Sequence, residues 1–332
     1  MNTEALRNTL AQKLRQIRPA GFEALALEIF RYQAVHNALY KSFISLLGIA
    51  PDTVDRLERI PFLPIQFFKS HAIQSGNWAP ARQFSSSGTT GETTSRHLLR
   101  DEAWYRENSA RCFSDFYGRV EDYCFLALLP AYLEREGSSL VYMANHFIER
   151  SRFSQSGFFL YDWNNLTRIL AECQAQKIPT ILLGVSFALL DLAEKHPILI
   201  PDICIMETGG MKGRRKELTR EELHGYLKKA FRVPNIHSEY GMTELFSQAY
   251  SKGEGRYLPG PPMRVFSREI TDPLAPQKQG RLGVLNVIDL ANLDTCAFIA
   301  TDDLGRVYSD GSFEVLGRLD NSDIRGCNLL VV

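Results

Sequence analysis

The sequence lacks the biases that would place it outside ordinary globular proteins. Its 332 residues include only 15 prolines and 23 glycines, too few for a collagen-like or low-complexity chain. The 38 Lys and Arg residues balance 38 Asp and Glu residues, so the broad positive field that drives binding to nucleic acids or anionic membranes is missing. We therefore expect neither a nucleic-acid partner nor a membrane partner.

Long apolar runs are also missing. The longest nearly apolar run, residues 178–190, is interrupted by Pro179 and Gly184. It is shorter than the roughly 20 residues that a membrane-spanning helix needs. The amino terminus is amphipathic and has no apolar core of a secretory signal. We expect a cytoplasmic protein.

The six cysteines are scattered singly, with no C-x-x-C motif and no Cys/His pair at zinc spacing. This pattern argues against a disulfide framework or a structural metal and predicts free thiols. Five lie in helical or strand-like runs and are expected in the core: Cys112, Cys124, Cys173, Cys204 and Cys296. The sixth, Cys327, lies close to the carboxyl end, and taken alone it too is best interpreted as a small core residue.

The apolar pattern predicts three segments. Residues 1–80 have helical spacing, residues 81–265 alternate short apolar runs with amphipathic ones, and residues 266–332 are rich in strands and turns. Alternating strands and helices predict an α/β fold, a mostly parallel sheet with flanking helices, plus a small β-rich C-terminal subdomain. The predicted strands are residues 123–129, 158–161, 180–185, 203–206, 233–236, 280–290, 298–301, 306–309 and 312–316. Helix starts are predicted at Ser138 or Ser139, at Asn164 or Asn165, and at Thr219 with Glu222.

A Ser/Thr/Gly cluster occupies residues 84–96, FSSSGTTGETTSR. Glycine lets a backbone approach a ligand closely, and hydroxyl and amide groups donate to phosphate oxygens. The cluster has neither the Gly-Lys-Ser/Thr of a Walker A loop nor a Rossmann fingerprint. Taken alone it is better interpreted as a polar surface turn.

Three further strings could contact a nucleotide. In residues 239–244, EYGMTE, a hydroxyl next to a carboxylate follows a predicted strand and suits a phosphate and Mg²⁺. Residues 301–305, TDDLG, and 317–320, GRLD, offer an acid for ribose hydroxyls and an arginine for phosphate. Turns between strands produce similar strings, so each signal alone is weak.

The order and spacing of these strings, with GGMK at residues 209–212 between them, resemble the core motifs of the adenylate-forming superfamily of acyl-CoA synthetases and firefly luciferase. The resemblance covers residues 84–326. The short chain, residues 129–143 and the ending IRGC at 324–327 are most similar to the acyl-protein synthetases of bioluminescence fatty acid reductase complexes, and next to phenylacetate-CoA ligases.

The resemblance implies an ATP-dependent acid–thiol ligase that converts a carboxylic acid, expected to be a fatty acid, to an acyl adenylate and passes the acyl group to a protein cysteine. Two alternatives remain open: a ligase that uses free CoA, and an inactive nucleotide-binding scaffold. The implied cofactors are ATP and Mg²⁺. The implied partners are an acyl reductase, an acyl carrier or CoA.

The resemblance also implies the role of each motif. The phosphates of ATP would contact Ser86, Ser87, Gly88, Thr89, Thr90 and Gly91. The adenine or acyl pocket would be lined by Gly209, Gly210 and Met211, with Tyr240 near adenine. Thr243 would contact the α-phosphate, Glu244 would bind Mg²⁺, Asp303 would take the ribose hydroxyls, and Arg318 would meet ribose or phosphate. Cys327 would accept the acyl group.

Two departures from the family pattern bear on these roles. Glu92 and Thr94 stand where many members carry lysine, so Arg96 or Lys212 is expected to supply the positive charge. Only residues 321–332 follow Asp320, too few for the usual C-terminal domain with its catalytic lysine.

Overall fold

The computed structural model describes residues 2–86, 94–130, 137–209 and 218–319. The chain divides at Ala79–Pro80 and at Gly260–Pro261 into two compact units. The first and last segments form unit 1, and the middle segment forms unit 2. The helical segment near the amino terminus therefore shares a unit with the β-rich segment that follows residue 260. Across the described ranges, no helix has the length and apolarity of a membrane-spanning segment.

Unit 1 begins with three helices, α1 (Thr3–Arg15), α2 (Phe22–His36) and α3 (Ala38–Leu46), followed by the short strand β1 (Leu63–Pro64) and the short helix α4 (Phe67–Ser70). Side-chain oxygens cap two of these helices. Asn2 accepts a hydrogen bond from the amide of Glu4, and Asn37 accepts one from the amide of Tyr40. Such caps satisfy amides that have no partner inside the helix, and thereby fix where each helix starts.

Unit 2 begins with a hairpin of β2 (Arg82–Ser85) and β3 (Arg96–Leu99), followed by α5 (Glu102–Tyr117). Strands and helices then alternate. They are β4 (Cys124–Leu128), α6 (Ser139–Arg150), β5 (Gly157–Phe158), α7 (Trp163–Gln176), β6 (Thr180–Val185), α8 (Ser186–Lys195), β7 (Cys204–Thr208), α9 (Arg220–Phe231) and β8 (His237–Tyr240). The short strands β9 (Ala249–Ser251) and β10 (Arg256–Pro259) complete the unit.

The sheet of unit 2 is mostly parallel. Strands β5, β4, β6, β7 and β8 are neighbours in that order and run parallel, whereas β9 and β10 are antiparallel additions. Strands β4 and β6 are buried along their whole length, as expected for a sheet covered by helices on both faces. The predicted α/β fold class is confirmed.

Several local predictions can be checked in unit 2. Thr219 and Glu222 form the predicted capping box of α9, and Ser138 caps α6. The predicted start of α7 at Asn164 or Asn165 is wrong, because Asp162 is the cap. The predicted strand at 233–236 is also misplaced, since β8 begins at His237.

The rest of unit 1 is an antiparallel ladder of β11 (Met263–Arg268), β12 (Gly283–Asp289), β13 (Phe298–Val307) and β14 (Phe313–Arg318), with β1 parallel to β13. The strands predicted at 298–301 and 306–309 are therefore one strand, and residues 301–305 lie inside it. The register shifts between Leu304 and Gly305. A Cβ atom on Gly305 would lie 2.0 Å from the carbonyl oxygen of Glu314, so only glycine allows this pairing.

The amino-terminal helices of unit 1 are bound to the segment between β12 and β13. The buried amide of Gln33 donates to two carbonyls in residues 292–293 and accepts a hydrogen bond from the amide of Ala297. The rings of Phe30 and Phe298 pack edge to face with centroids 5.9 Å apart. Helix α2 therefore packs against residues that are distant from it in the sequence.

Two ion pairs hold α1. Arg7 Nη2 and Asp294 Oδ2 are 2.5 Å apart, and the two side chains are only 15% and 7% exposed. Lys13 Nζ and Glu28 Oε2 are also 2.5 Å apart, but these side chains are 49% and 40% exposed. Only the first pair is shielded from water.

Candidate active site

The loop predicted to hold phosphates is closed at its base by the hairpin of β2 and β3. Ser85 pairs with Arg96 across the hairpin. Beyond this pair, the amide of Ser86 donates to the carbonyl of Ser95 at 3.0 Å, and Ser86 Oγ accepts from the amide of Ser95 at 2.8 Å. Ser86 thus closes the loop. The other loop residues in the prediction lie outside the described residues: Ser87, Gly88, Thr89, Thr90 and Gly91.

Arg96 and Lys212 are the two cations that are expected to replace the family's lysine. Arg96 lies on β3, at the point where the chain leaves the loop, and its side chain is exposed. Its guanidinium is therefore accessible to solvent. Lys212 lies outside the described residues.

Strands β7 and β8 place two predicted residues at one edge of the sheet. Thr208 pairs with Glu239 in parallel register, so Gly209, just past the end of β7, follows beside Tyr240, the last residue of β8. Gly209 has a φ of +69°, which favours glycine, and its carbonyl accepts a hydrogen bond from Ser186 Oγ at 2.7 Å. Tyr240 is buried. The neighbouring Gly210 and Met211 lie outside the described residues.

A turn just past β8 carries Thr243 and Glu244. The amide of Leu245 donates to the carbonyl of Met242 at 3.1 Å, which closes the turn. The side chain of Glu244 is buried. A hydroxyl and a carboxylate therefore follow a parallel strand at its carboxyl end, where open α/β sheets bind their ligands.

Two buried residues that the sequence analysis did not single out hold this turn. His97 on β3 places Nδ1 2.8 Å from the carbonyl oxygen of Thr243, and its ring stacks on Phe246 with centroids 4.2 Å apart. Asn108 on α5 donates to the carbonyl of Phe246 at 2.9 Å. Both side chains are fully buried.

Burial decides the protonation state of His97. Because desolvation disfavours a charged imidazole, it lowers the pKa of His97 to about 4, although the hydrogen bond to Thr243 opposes the shift. The ring is neutral at neutral pH. A carbonyl oxygen can only accept, so the hydrogen of the neutral ring lies on Nδ1.

Two buried glutamates lie on β7 and β8 behind the turn. Burial raises the pKa of Glu239 to about 7; the hydrogen bond that Thr208 Oγ1 donates at 2.5 Å opposes the shift, and the charge of Glu207 adds to it. Glu207 lies 3.6 Å from the nitrogens of Arg220 and His224. A Cβ atom on Gly241 would lie 2.5 Å from Glu239 Oε1, so a larger residue there would force this carboxyl group to shift.

In unit 1, the structure brings Asp303 and Arg318 together as cross-strand partners on β13 and β14. Arg318 Nε and Asp303 Oδ1 are 3.6 Å apart, and the guanidinium is 69% exposed. Asp302 is engaged differently, since its carboxylate accepts from Gln66 Nε2 at 2.6 Å. The structure thus distinguishes two adjacent acids that the sequence presents together.

The described residues contain no group of three or more His, Cys, Asp and Glu side chains that could hold a metal ion. Mg²⁺ in nucleotide-dependent enzymes is typically held by one or two carboxylates together with substrate phosphates. The buried carboxylate of Glu244, next to Thr243 in the sequence, suits such a site.

The cysteines in the described part of the chain suit a core role. Cys112, Cys124, Cys173 and Cys296 are buried free thiols, and Cys204 is partly exposed. Burial raises the pKa of Cys124 and Cys296 to about 12, which keeps these thiols protonated and unreactive. Cys296 precedes β13 rather than lying in a strand. Cys327 lies outside the described residues.

No family model and no curated protein sequence matches this chain. Among solved structures, it is similar to a 2-hydroxyisobutyryl-CoA ligase in complex with 2-HIB-AMP and CoA, with a TM-score of 0.64, 15% identity, and coverage of 93% of this chain and 71% of that one. It is also similar to ATP-bound MatB from Rhodopseudomonas palustris, with a TM-score of 0.53, 15% identity, and coverage of 71% and 47%.

An ATP-bound chimera, RpMatB-BxBclM, gives the same TM-score of 0.53 at 17% identity. The chain spans about half the length of the MatB structures that it matches, 47% of each. With identities this low, the TM-scores establish likeness of fold alone. The chain therefore has a fold similar to that of these ligase structures.

Proposed function

We propose that this protein uses ATP to convert a carboxylic acid to an acyl adenylate and then transfers the acyl group to a thiol. The observation that carries the proposal is the Thr243–Glu244 turn at the carboxyl end of β8, in a chain with the fold of adenylate-forming ligases. The cross-strand pair of Asp303 and Arg318 supports it, because these side chains offer an acceptor for ribose hydroxyls and a cation for phosphate.

The chemistry needs no general base. A carboxylic acid with a pKa of about 4.3 is already ionised at neutral pH. Its oxygen attacks the α-phosphorus of ATP, a new P–O bond forms, and the bond to the leaving pyrophosphate breaks. The main obstacle is the repulsion between the carboxylate and the polyphosphate, so the site must neutralise charge.

The residues of unit 2 fit this task. The Thr243 hydroxyl is suited to donate to the α-phosphate, and exposed Arg96 is suited to the loop-held phosphates. Glu244 is the residue that would hold Mg²⁺, and a bound Mg²⁺ would neutralise part of the phosphate charge. The adenylate is a mixed anhydride, which a thiolate attacks with release of AMP.

Exchange of labelled pyrophosphate into ATP tests the proposal. Purified protein is incubated with ATP, Mg²⁺ and a panel of acids: long-chain and short-chain fatty acids, aromatic acids and 2-hydroxyisobutyrate. We expect exchange only when an acid is present, with the fastest rate for a fatty acid. ATP binding without exchange for any acid would contradict the proposal and favour the nucleotide-binding scaffold.

For the acceptor we propose Cys327, on the similarity of the Arg-Gly-Cys ending to the acyl-protein synthetases. In this step the thiolate sulfur bonds to the acyl carbon, the carbon–oxygen bond to AMP breaks, and the thiol proton goes to solvent. A thiol with a pKa near about 8.5 is only a few per cent ionised at neutral pH, so a nearby cation such as Arg325 or Arg318 would accelerate the step. An acyl reductase or acyl carrier would then receive the acyl group.

Labelled fatty acid and ATP distinguish the acceptors. We expect a hydroxylamine-sensitive acyl-protein with the wild type and with Cys173→Ser, a matched control in the core. Cys327→Ser should retain pyrophosphate exchange yet remain unlabelled. Equal labelling of Cys327→Ser, or an unlabelled wild type that consumes free CoA, would refute the internal acceptor and favour the CoA ligase.

A further inference from the structure

The peptide bond between Thr243 and Glu244 joins the two side chains to which the proposed function assigns phosphate and metal contacts. Its carbonyl oxygen is the atom that His97 Nδ1 approaches at 2.8 Å. A displacement of this peptide group would carry the Cα atoms of Thr243 and Glu244, and hence both side chains, with it. The hydrogen bond from His97 therefore acts on the peptide group that carries both of these side chains.

His97 is well placed to fix that orientation. Its side chain is fully buried, so water does not compete for the hydrogen bond. Stacking on Phe246, with rings 21° from parallel, fixes the plane of the imidazole and hence the direction of Nδ1–H. Asn108 holds the far side of the turn through the carbonyl of Phe246 and the hydroxyl of Ser247. The turn is thus held at two points by two different elements.

The position of His97 along the chain connects the turn to the predicted phosphate loop. His97 lies on β3, two residues after Ser95, which is bonded at both its amide and its carbonyl to Ser86 at the other end of the loop. The strand that closes the loop therefore also holds the turn.

We propose that His97 is a positioning residue that, through its hydrogen bond to the Thr243 carbonyl, sets the Thr243–Glu244 peptide relative to strand β3 for acyl adenylate formation. This inference rests on the proposed function. His97 touches neither nucleotide nor acid in this role, and it acts only through the turn.

Two substitutions separate the hydrogen bond from the ring. His97→Phe keeps a ring to stack on Phe246 but removes the donor. His97→Asn loses the ring but keeps an N–H close to the position of Nδ1. Thr180→Val is the matched control, because it removes another buried side-chain bond to a backbone carbonyl, Thr180 Oγ1 to Ile178, at the opposite end of the sheet.

In pyrophosphate exchange we expect kcat of His97→Phe to fall by about 10- to 100-fold, with KM for ATP changed by less than about threefold, because misplacement affects the reacting geometry more than nucleotide binding. His97→Asn should recover kcat to within about fivefold of the wild type, and Thr180→Val should match the wild type. Folded His97→Phe with wild-type kcat would overturn the inference. So would folded His97→Asn that is as slow as His97→Phe.

Hydrogen–deuterium exchange gives a readout that does not need activity. We expect faster exchange at the Leu245 amide in His97→Phe, near-wild-type exchange there in His97→Asn, and unchanged exchange in β6 for both. Unchanged exchange at Leu245 in His97→Phe would overturn the positioning role. If His97→Phe does not fold, His97→Gln, whose amide nitrogen falls near the position of Nε2 rather than Nδ1, takes its place in both assays. A wild type without acid-dependent exchange would instead refute the proposed function, which is a distinct result.

Discussion

Glu244 can be tested at nearly constant shape. Glu244→Gln removes the negative charge that would bind Mg²⁺ while it keeps the volume of this buried side chain. We expect acid-dependent pyrophosphate exchange to fall to background while the thermal unfolding midpoint stays close to that of the wild type. The matched control is Glu172→Gln on α7, which should exchange normally. Full exchange by Glu244→Gln would contradict the assignment of the turn.

Asp303 and Asp302 form a natural pair of test and control. Asp303→Asn should weaken ATP binding by about 1.5–3 kcal/mol, the range for loss of a charged hydrogen bond, as measured by calorimetric titration. Asp302→Asn should have a smaller effect, because its carboxylate is engaged by Gln66. If Asp302→Asn instead weakens ATP binding more than Asp303→Asn does, Asp302 is the ribose acceptor and Asp303 only pairs with Arg318.

At the scale of residues, the sequence could reveal groups that have chemistry of their own and a motif around them. The Thr243–Glu244 string and the acids at 302–303 have such a context. His97 does not, because a lone histidine in an apolar strand is ordinarily a core residue. Its importance comes from a contact with Thr243, 146 positions further along the chain. Glu207 and Glu239 were missed as well, because the strands predicted at 203–206 and 233–236 end before them, whereas the observed strands contain them.

Helix α1 offers a comparison between two ion pairs of equal length and different burial. Arg7→Met should lower the free energy of unfolding by about 2–4 kcal/mol, because it leaves the carboxylate of Asp294 buried without its cation. Lys13→Met should cost less than about 1 kcal/mol, since its pair is exposed. Equilibrium urea denaturation measures both. Equal losses would show that burial does not govern these pairs.

At the scale of elements, apolar periodicity predicted the buried parallel strands well, because strands such as β6 are apolar along their whole length. It failed where polar residues occupy a strand. Asp302, Asp303 and Gly305 have low strand propensity and suggested a turn, but β13 continues through them with a register shift. The pairing of the first helices with residues 292–298 could not be predicted, because no local pattern encodes a contact across 264 positions.

The stability of the whole chain should depend on pH through Glu239. Its pKa in the folded protein, about 7, exceeds the ordinary value of 4.5, so the folded state binds the extra proton between these values. The free energy of unfolding contributed by this group therefore falls as pH rises from about 4.5 to about 7, and is constant above that window.

Glu239→Gln should remove this decline. We expect the variant to be more stable than the wild type by about 2–3 kcal/mol at pH 8 and nearly equal to it at pH 4. The pKa of His97 is lowered, so its own contribution is lost as pH falls from about 6.5 to about 4 in both proteins, and it cancels in the difference. Urea denaturation across this range measures the difference, and parallel curves would contradict the raised pKa of Glu239.

The division of unit 1 between the two ends of the chain governs the order in which a ribosome can complete the protein. Helix α2 emerges early, yet the hydrogen bond between Gln33 and Ala297 can form only after 264 more residues have been synthesised. At about 5–20 residues per second, that synthesis takes roughly 13–50 s. All of unit 2 is synthesised in the interval. During it, Phe30 and its neighbours on α2 lack their final cover, so the nascent chain displays an apolar helix face of the kind that chaperones bind.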